Sequence, residues 1–363
     1  MRVPRAHAVR PYTPPSIMAS RMMTTDDQPH DVYHRPLSDL RISVTDRCNF
    51  RCAFCMPAEQ SYKFLPKPEI LSFEETARLA RLFVDLGVRK IRLTGGEPLL
   101  RSELEKLVAQ LAALRGLDDL ALTTNAYLLP QKAAALATAG LGRVTVSLHS
   151  LDPGTFGRVN GLGVELERVL AGIRAAIDAG LTPLKLNVVV IKGVNDHEVV
   201  DLARYARDLG AVARFIEYMD VGTVNAWDPE RVVSAREILE TIDRVFPLEA
   251  VGKDHPGEVA DRYRYRDGGG EVGVITSVTQ PFCGDCSRVR LAADGRVYTC
   301  LFARHGHDLK TPLRAGESDE ELRGRIRALW GRRADRYSEQ RTAALAAGRF
   351  VPADKVEMFR IGG

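Results

Sequence analysis

Two hydrophobic periods alternate along the chain between residues 40 and 216. Short apolar runs predict β-strands, and the segments between them repeat apolar residues at the spacing of amphipathic helices. The predicted strands are residues 41–44, 88–93, 120–123, 144–148, 186–191 and 212–216. Six strands alternating with helices predict a parallel α/β sheet. Because a closed barrel of this type has eight strands, we expect a partial (β/α)6 barrel similar to a TIM barrel, with its chemistry at the carboxyl ends of the strands.

Local signals set the expected helix boundaries. Four serines are each followed three positions later by a glutamate, which predicts helix starts closed by a capping box. The pairs are Ser72 with Glu75, Ser102 with Glu105, Ser234 with Glu237 and Ser318 with Glu321. Glycines at 87, 140, 180 and 210 predict helix ends with left-handed caps.

The pattern divides the chain into three segments. Residues 1–31 contain repeated prolines and few large apolar residues, so we expect a disordered arm, within which Met18, Met22 and Met23 are alternative starts. Residues 32–220 form the expected partial barrel. From residue 221 the alternation stops, and residues 221–363 form a C-terminal extension rich in glycine and tyrosine.

Composition narrows the class of protein. A chain of 363 residues with 45% hydrophobic content can bury a large core. Its 51 basic and 47 acidic residues leave a net charge of +4, too mild to indicate a nucleic-acid surface. No apolar run is long enough for a membrane span or a secretory signal. We therefore expect a cytoplasmic protein that binds neither nucleic acid nor a membrane.

The six cysteines form two triplets. Three of them have the spacing Cys-x3-Cys-x2-Cys, and three have the spacing Cys-x2-Cys-x13-Cys. The first triplet is Cys48, Cys52 and Cys55, and the second is Cys283, Cys286 and Cys300. In the cytosol, closely spaced cysteines indicate metal or redox chemistry. Three thiolates are one short of a closed site with four ligands, so the chain is expected to hold two open metal clusters.

Structural disulfides and a zinc site are two other interpretations of the cysteines. Structural disulfides are disfavoured, because a chain of this size needs no covalent staples. Zinc stays open at the second triplet, because His305 and His307 follow Cys300 closely. The spacing of the first triplet is unusual for zinc and fits an iron–sulfur cluster with one iron that lacks a protein ligand.

Basic residues on the predicted strands suggest an anionic ligand. A cation inside a barrel is costly without an anionic partner, and guanidiniums suit phosphates. Arg288 and Arg290 alternate with Val289, so both would point to one face of a strand. Each basic residue alone could be an exposed or ion-paired side chain, but the set predicts a pocket for a polyanion. The set comprises Arg41, Arg92, Lys185, Arg214, Arg288 and Arg290.

The first triplet resembles the radical S-adenosylmethionine superfamily. The resemblance rests on CNFRCAFC at residues 48–55, with an aromatic before the last cysteine, and on GGEP at residues 95–98 after the second strand. It implies a [4Fe–4S] cluster on three cysteines, with S-adenosylmethionine chelating the fourth iron and being cleaved to a 5′-deoxyadenosyl radical. The implied contacts to S-adenosylmethionine are Phe54, Gly96, Ser147 and Met219, with Asn187 near them.

The remainder resembles the GTP 3′,8-cyclase family, also called molybdenum cofactor biosynthesis protein A. The resemblance covers residues 37–363. Its motifs are LRISVTDR at 40–47, TTN at 123–125, FIEYMD at 215–220, FCGDCSRVR at 282–290 and the glycines at 362–363. It implies a second [4Fe–4S] cluster whose open iron contacts the guanine of GTP. The implied reaction joins the ribose C3′ to guanine C8, and a separate cyclic pyranopterin monophosphate synthase uses the product.

The resemblance also implies substrate contacts and partners. The implied GTP contacts are Arg41, Arg92, Thr123, Lys185, Arg288 and Arg290, with Arg214, Gly362 and Gly363 as further candidates. The Gly-Gly tail is expected to enter the active site. A reductant protein such as flavodoxin or ferredoxin is expected, and a homodimer stays open.

The chain departs from the family pattern at two positions. His149 stands where the family usually has Asp, and Phe54 replaces a frequent Tyr. Two other functions stay open at this point. A radical S-adenosylmethionine enzyme that modifies peptides would tend to have more C-terminal cysteines and no Arg-x-Arg. A non-catalytic iron–sulfur or zinc protein would not need the glycine turn at 95–98.

Overall fold

A single sheet organises the chain. The computed structural model describes residues 28–253 and 257–363. Within these residues, twelve strands pair in the order β12-β11-β10-β1-β2-β3-β4-β5-β6-β9-β8-β7. The strands are β1 Asp39–Ser43, β2 Lys90–Thr94, β3 Asp119–Thr124, β4 Arg143–Ser147, β5 Lys185–Val190, β6 Val212–Glu217, β7 Leu248–Ala250, β8 Asp261–Tyr265, β9 Glu271–Ile275, β10 Arg288–Leu291, β11 Arg296–Tyr298 and β12 His307–Asp308.

Helices connect and cover the strands. They are α1 Phe73–Asp85, α2 Leu104–Ala112, α3 Leu129–Thr138, α4 Pro153–Asn160, α5 Leu166–Asp178, α6 Val199–Asp208, α7 Ala235–Asp243, α8 Lys310–Arg314, α9 Asp319–Gly331, α10 Tyr337–Ala346 and α11 Met358–Ile361. Their apolar faces pack on strand residues such as Leu40, Ile42 and Leu93 in one large core cluster. The predicted partial barrel is confirmed, and each of the six predicted strands is present within two residues of its expected bounds.

The C-terminal extension completes both edges of the parallel sheet. Strand β9 pairs with β6 in parallel, and β10 pairs with β1 in parallel. In the described residues, eight adjacent strands from β10 to β9 therefore run in one direction. The division expected at residues 220 and 221 is a change in sequence pattern within one continuous sheet.

Three of the four predicted capping boxes are present, at Ser72, Ser234 and Ser318. The one predicted at Ser102 is wrong. Helix α2 begins at Leu104, and its N-cap residue Glu103 has a φ of 57° and makes no side-chain cap. This left-handed residue turns the chain between Ser102 and the helix, so the serine does not occupy the cap position.

The expectation of a disordered arm is wrong for residues 28–31. The Gln28 side chain donates to the Leu37 carbonyl at 2.8 Å, and Asp31 is 4% exposed with an ion pair to Arg35. The rest of the predicted arm, residues 1–27, lies outside the described residues. Among the helices of the described chain, none has the length and apolar character needed to cross a membrane.

Candidate active site

One cavity runs through the interior of the partial barrel, and all six cysteines line it. The first triplet follows β1 and so lies at the carboxyl end of the parallel strands. Cys286 precedes β10, and Cys300 follows β11, which is antiparallel to β10. The second triplet therefore lies at the amino end of the same strands. The two triplets face one another along the barrel interior, an arrangement that the sequence analysis did not predict.

The glycine turn after β2 is fastened to the loop that leads into the first triplet. Gly96 donates its N–H to the Thr45 carbonyl at 2.8 Å, and Glu97 donates to the Arg47 carbonyl at 2.8 Å. A Cβ on Gly95 would lie 2.4 Å from the Thr45 oxygen, and one on Gly96 would lie 2.3 Å from the Arg47 oxygen. Such distances exclude any side chain, so both glycines are required for the contact itself.

Glu97 ties this turn to strand β3. Its carboxylate accepts hydrogen bonds from the Leu99 N–H, the Thr124 hydroxyl and the Asn125 N–H at 2.7–3.0 Å. Burial raises the pKa of Glu97 to about 7, against the opposing effect of these bonds. The Asn125 side chain then donates to Asn49 within the cysteine loop at 2.9 Å. Apart from Leu99, these residues belong to the sequence motifs at 48–55, 95–98 and 123–125, but their contacts could not be predicted because the partners are distant in sequence.

The expected S-adenosylmethionine contacts are brought together beside the first triplet. Phe54, Gly96, Ser147, Asn187 and Met219 all line the cavity. They come from the cysteine loop and from the carboxyl ends of β2, β4 and β6, which meet at one end of a parallel barrel. Asn187 lies within β5, where it pairs with Ser147 at the end of β4.

His149 lies in the same wall and is locked in one tautomer. Its ring meets the Phe54 ring edge-on, with centroids 4.8 Å apart. Its Nδ1 accepts the Val189 N–H at 3.1 Å, so the proton of the neutral ring lies on Nε2. Burial lowers the pKa of His149 to about 4, and the ring stays neutral near pH 7. The neutral ring therefore offers one N–H donor, at Nε2.

The donor sets at both triplets fit iron–sulfur clusters better than single metal ions. Burial raises the pKa of Cys48 and of Cys300 to about 12. At Cys286 burial also opposes ionisation, but Arg288 and Arg333 outweigh it and lower the pKa to about 6. No three His, Cys, Asp or Glu side chains in the described ranges converge on a single-ion site. A cubane cluster binds each thiolate through a different iron, so its ligands stand further apart.

A zinc site at the second triplet would need a histidine as its fourth ligand. His305 and His307 are both exposed, and neither lines the cavity beside Cys300. The second triplet therefore presents three thiols and neighbouring arginines, with no histidine in the cavity wall beside it.

Basic side chains fill the barrel between the triplets. The strand register sets Arg41 beside Arg92 on one side and beside Arg290 on the other. Arg92 donates to Thr123 at 3.2 Å and to Thr145 at 3.0 Å, and Arg214 donates to Asn187 at 3.0 Å. Of the expected GTP contacts, the cavity is lined by Arg41, Thr123, Arg214, Arg288 and Arg290. Arg92 and Lys185 line a smaller adjoining cavity that shares Arg41, Arg214 and Arg288 with the first.

The basic residues that line the smaller cavity outnumber its two acidic residues, Asp39 and Glu258. Burial, together with neighbouring cations, lowers the pKa of Arg41 well below its usual value and that of Arg214 to about 9. The same causes lower the pKa of Lys185 to about 7. Charged groups in such a place are costly unless an anion joins them. The interior is therefore suited to a ligand with several negative charges.

The C-terminal glycines reach this interior. The Gly362 carbonyl accepts a hydrogen bond from Arg290, and Gly363 lines the cavity. Gly362 has a φ of 74°, and a Cβ on it would lie 2.2 Å from the Thr94 side chain. A larger residue there would be strained by the positive φ and would require the Thr94 side chain to move.

Comparisons with known proteins agree with this geometry. Residues 42–206 match the model of the radical SAM superfamily. The crystal structure of Streptococcus suis SuiB bound to S-adenosylmethionine superposes with a TM-score of 0.55 at 16% identity. The superposition covers 82% of this chain and 69% of that chain. The fold and the first cysteine loop thus define a radical S-adenosylmethionine enzyme, a class that uses a [4Fe–4S] cluster and S-adenosylmethionine.

The remaining matches identify the family. Residues 211–339 match the family model Molybdenum Cofactor Synthesis C. The GTP 3′,8-cyclase of Acidothermus cellulolyticus is 53% identical over 92% of this chain and 94% of that protein. The same enzyme of Xanthomonas axonopodis pv. citri is 50% identical over 92% of this chain and 98% of that protein. The chain belongs to the GTP 3′,8-cyclase family, as the sequence motifs indicated, and a second cluster at its C-terminal triplet is consistent with that family.

The glycine turn yields a test of the first site. Gly96→Ala places a methyl group against a backbone oxygen that cannot rotate away, so the cysteine loop must shift. We expect roughly tenfold or greater loss of S-adenosylmethionine affinity, measured by equilibrium dialysis of anaerobically reconstituted protein. Gly284→Ala is the matched control, because a Cβ on Gly284 meets nothing within 4 Å although it lies between Cys283 and Cys286. Equal affinities in the two variants would contradict the steric argument.

Proposed function

We propose that this protein converts GTP into (8S)-3′,8-cyclo-7,8-dihydroguanosine 5′-triphosphate, the first step of molybdenum cofactor biosynthesis. One observation carries the proposal: a cavity with a cysteine triplet at each end and an excess of buried cations between them. A nucleoside triphosphate supplies the missing negative charge. The relatives named GTP 3′,8-cyclase support the same substrate.

The six cysteines would hold two [4Fe–4S] clusters. Cys48, Cys52 and Cys55 would bind the first cluster, and the second triplet would bind the other. When bound, the clusters and S-adenosylmethionine would supply one-electron chemistry at the carboxyl end and an anchoring iron for guanine at the amino end. Phe54, Gly96, Ser147 and Met219 would hold S-adenosylmethionine.

The chain's own residues would bind and orient GTP between these sites. Arg41, Lys185 and Arg214 would neutralise the triphosphate, since they line the connected cavities with few anionic partners. Arg288 also donates to the Cys286 sulfur at 3.5 Å, so it would join the second metal site to the substrate. The remaining proposed contacts are Arg92, Thr123 and Arg290. Arg290 and the tail residues Gly362 and Gly363 would close the cavity and exclude water.

Two other functions have less support. A peptide-modifying enzyme shares the fold. However, a cationic barrel interior would bind a peptide well only if that peptide were strongly acidic. A non-catalytic metal protein would not need a cavity with a glycine turn at one end and guanidiniums along its wall.

The partners follow from the proposed reaction. A reductant protein such as flavodoxin or ferredoxin would deliver the electron, and a cyclic pyranopterin monophosphate synthase would consume the product. We place the protein in the cytoplasm, where its six thiols stay reduced. A homodimer remains part of the hypothesis.

A single experiment tests the proposed reaction. The protein is reconstituted anaerobically, its iron is counted, and it is incubated with S-adenosylmethionine, reductant and GTP. We expect about eight irons per chain and GTP-dependent formation of 5′-deoxyadenosine together with the cyclic product. About four irons, bound zinc, or no difference between GTP and ATP would refute the proposal.

Replacing Arg41 should lower the affinity for GTP and raise the stability of the apoprotein. Within the described residues the Arg41 side chain donates no hydrogen bond to another residue, and burial lowers its pKa and so disfavours the charged form. We expect Arg41→Met to weaken GTP binding at least roughly tenfold and to raise the unfolding free energy of the apoprotein by about 1 kcal/mol or more. Urea denaturation and equilibrium dialysis measure the two effects.

Arg143→Met is the control for Arg41. The Arg143 guanidinium is paired with Asp119, and its Nε lies 2.9 Å from a carboxylate oxygen. Its loss removes both guanidinium hydrogen bonds from a partly buried carboxylate and leaves it only the ion pair with Lys90 at 3.9 Å, so stability should fall. If both variants shift stability in the same direction, the claim that Arg41 lacks a protein counter-charge is wrong.

Lys185 makes GTP binding depend on pH. Its folded pKa of about 7 lies below the usual 10.5, so at pH 8 the amine is mostly neutral in the empty site. A bound triphosphate favours the ammonium, and binding at pH 8 should take up a proton. At pH 6 the amine is already charged before GTP binds, so Lys185 should take up no proton on binding.

Calorimetry in two buffers with different ionisation enthalpies measures this uptake. Lys185→Arg should still bind GTP but take up fewer protons at pH 8, because a guanidinium remains charged. Unchanged proton uptake in Lys185→Arg would assign the proton to another group.

A further inference from the structure

Asp31 is a buried carboxylate with four hydrogen-bond donors. Its Oδ1 accepts the N–H groups of Tyr33 at 2.9 Å and Arg35 at 3.0 Å. Its Oδ2 accepts Arg35 Nε at 2.6 Å and Arg333 Nη1 at 3.0 Å. The side chains of all three ionic residues are at most 2% exposed. One carboxylate thus fixes two guanidiniums that come from opposite parts of the chain.

Both guanidiniums donate to the backbone of the second cysteine triplet. Arg35 Nη1 donates to the Cys283 carbonyl at 2.6 Å. Arg333 Nη1 donates to the Cys286 carbonyl at 2.6 Å, and its Nε donates to the Thr299 carbonyl at 3.1 Å. Thr299 directly precedes Cys300. For each cysteine of the triplet, an arginine side chain therefore donates a hydrogen bond to one backbone carbonyl. This carbonyl belongs either to the cysteine or to the residue before it.

Further contacts brace the two arginines. The Trp330 indole N–H donates to the Arg35 carbonyl at 3.0 Å, and the Arg333 guanidinium lies over the Trp330 ring at 4.6 Å. The Val32 N–H donates to the Arg333 carbonyl at 3.4 Å. The segment before β1 and the end of α9 are thereby joined across the back of the second triplet.

We propose that Asp31, Arg35 and Arg333 are positioning residues that preorganise the second cysteine triplet for its cluster. The proposal rests on the proposed two-cluster function. Three donors must reach three carbonyls in loops separated by more than ten residues, and a planar guanidinium suits this because its N–H groups point in fixed directions. Groups behind the direct ligands commonly set metal affinity in this way.

Removing the carboxylate tests the proposal. Asp31→Asn leaves two buried guanidiniums without their shared anion and turns an acceptor into a donor. After anaerobic reconstitution, we expect the iron content to fall from about eight to about four per chain. The electron paramagnetic resonance signal of the first cluster, which responds to added S-adenosylmethionine, should persist.

Asp319→Asn is the matched control. Asp319 also accepts from two guanidiniums, Arg78 Nε at 2.9 Å and Arg81 Nη2 at 2.6 Å, but it joins α9 to α1 away from the cysteines. It should retain the full iron content. Full iron content in Asp31→Asn, or equal loss from both clusters, or equal loss in the control would each overturn the proposal.

Arg333→Lys tests whether the directions of the hydrogen bonds matter when the positive charge is kept. It also serves as a second variant if Asp31→Asn folds poorly. Lysine keeps the charge but cannot reach the Cys286 and Thr299 carbonyls together. We expect it to lose the second cluster selectively, while its circular dichroism spectrum shows that the apoprotein is still folded. Full retention of that cluster would refute the positioning role. These readouts use no GTP, so a protein inactive on GTP but selectively depleted by Asp31→Asn would refute the cyclase function alone.

Discussion

An excess of buried positive charge in the barrel interior is the constraint on which the other features depend. Arg41, Arg92 and Arg290 lie side by side by strand register, and Arg214 and Lys185 face the same space. Such an interior works against folding unless an anion occupies it. The sheet, the two metal sites and the tail are arranged around that space, so substrate binding and the stability of the barrel are physically linked.

The direction of the strands separates the two halves of the chemistry. The loop after β1 brings one triplet to the carboxyl end, whereas the loop before β10 brings the other to the amino end. Both loops flank neighbouring strands, yet they lie at opposite ends of one cavity. The two cysteine triplets are therefore held apart by the length of a strand, with the cationic wall between them.

Much of the barrel and of the first cysteine site could be predicted from local patterns and short motifs. Apolar periodicity located β1 to β6, and the cysteine spacing with the glycine turn indicated the superfamily. The sequence could not show that β9 and β10 extend both sheet edges, because pairing between distant segments leaves no local pattern. It also missed Asp31, which looked like the end of a polar arm, and the role of Glu97, whose partners are set by the tertiary fold. At Ser102 the spacing of a capping box is present, but the left-handed Glu103 takes the N-cap position in its place.

The pairing of β10 with β1 imposes an order on how the protein is made. The hydroxyl of Ser287 contacts Asp39 across 248 positions of the chain, so the first strand keeps one open edge through most of translation. The loop of the first triplet and its glycine turn are complete once β1 to β3 have emerged from the ribosome. The second triplet must wait for α9 to deliver Arg333. The residues around the first triplet are therefore synthesised, and can pack together, before those around the second triplet.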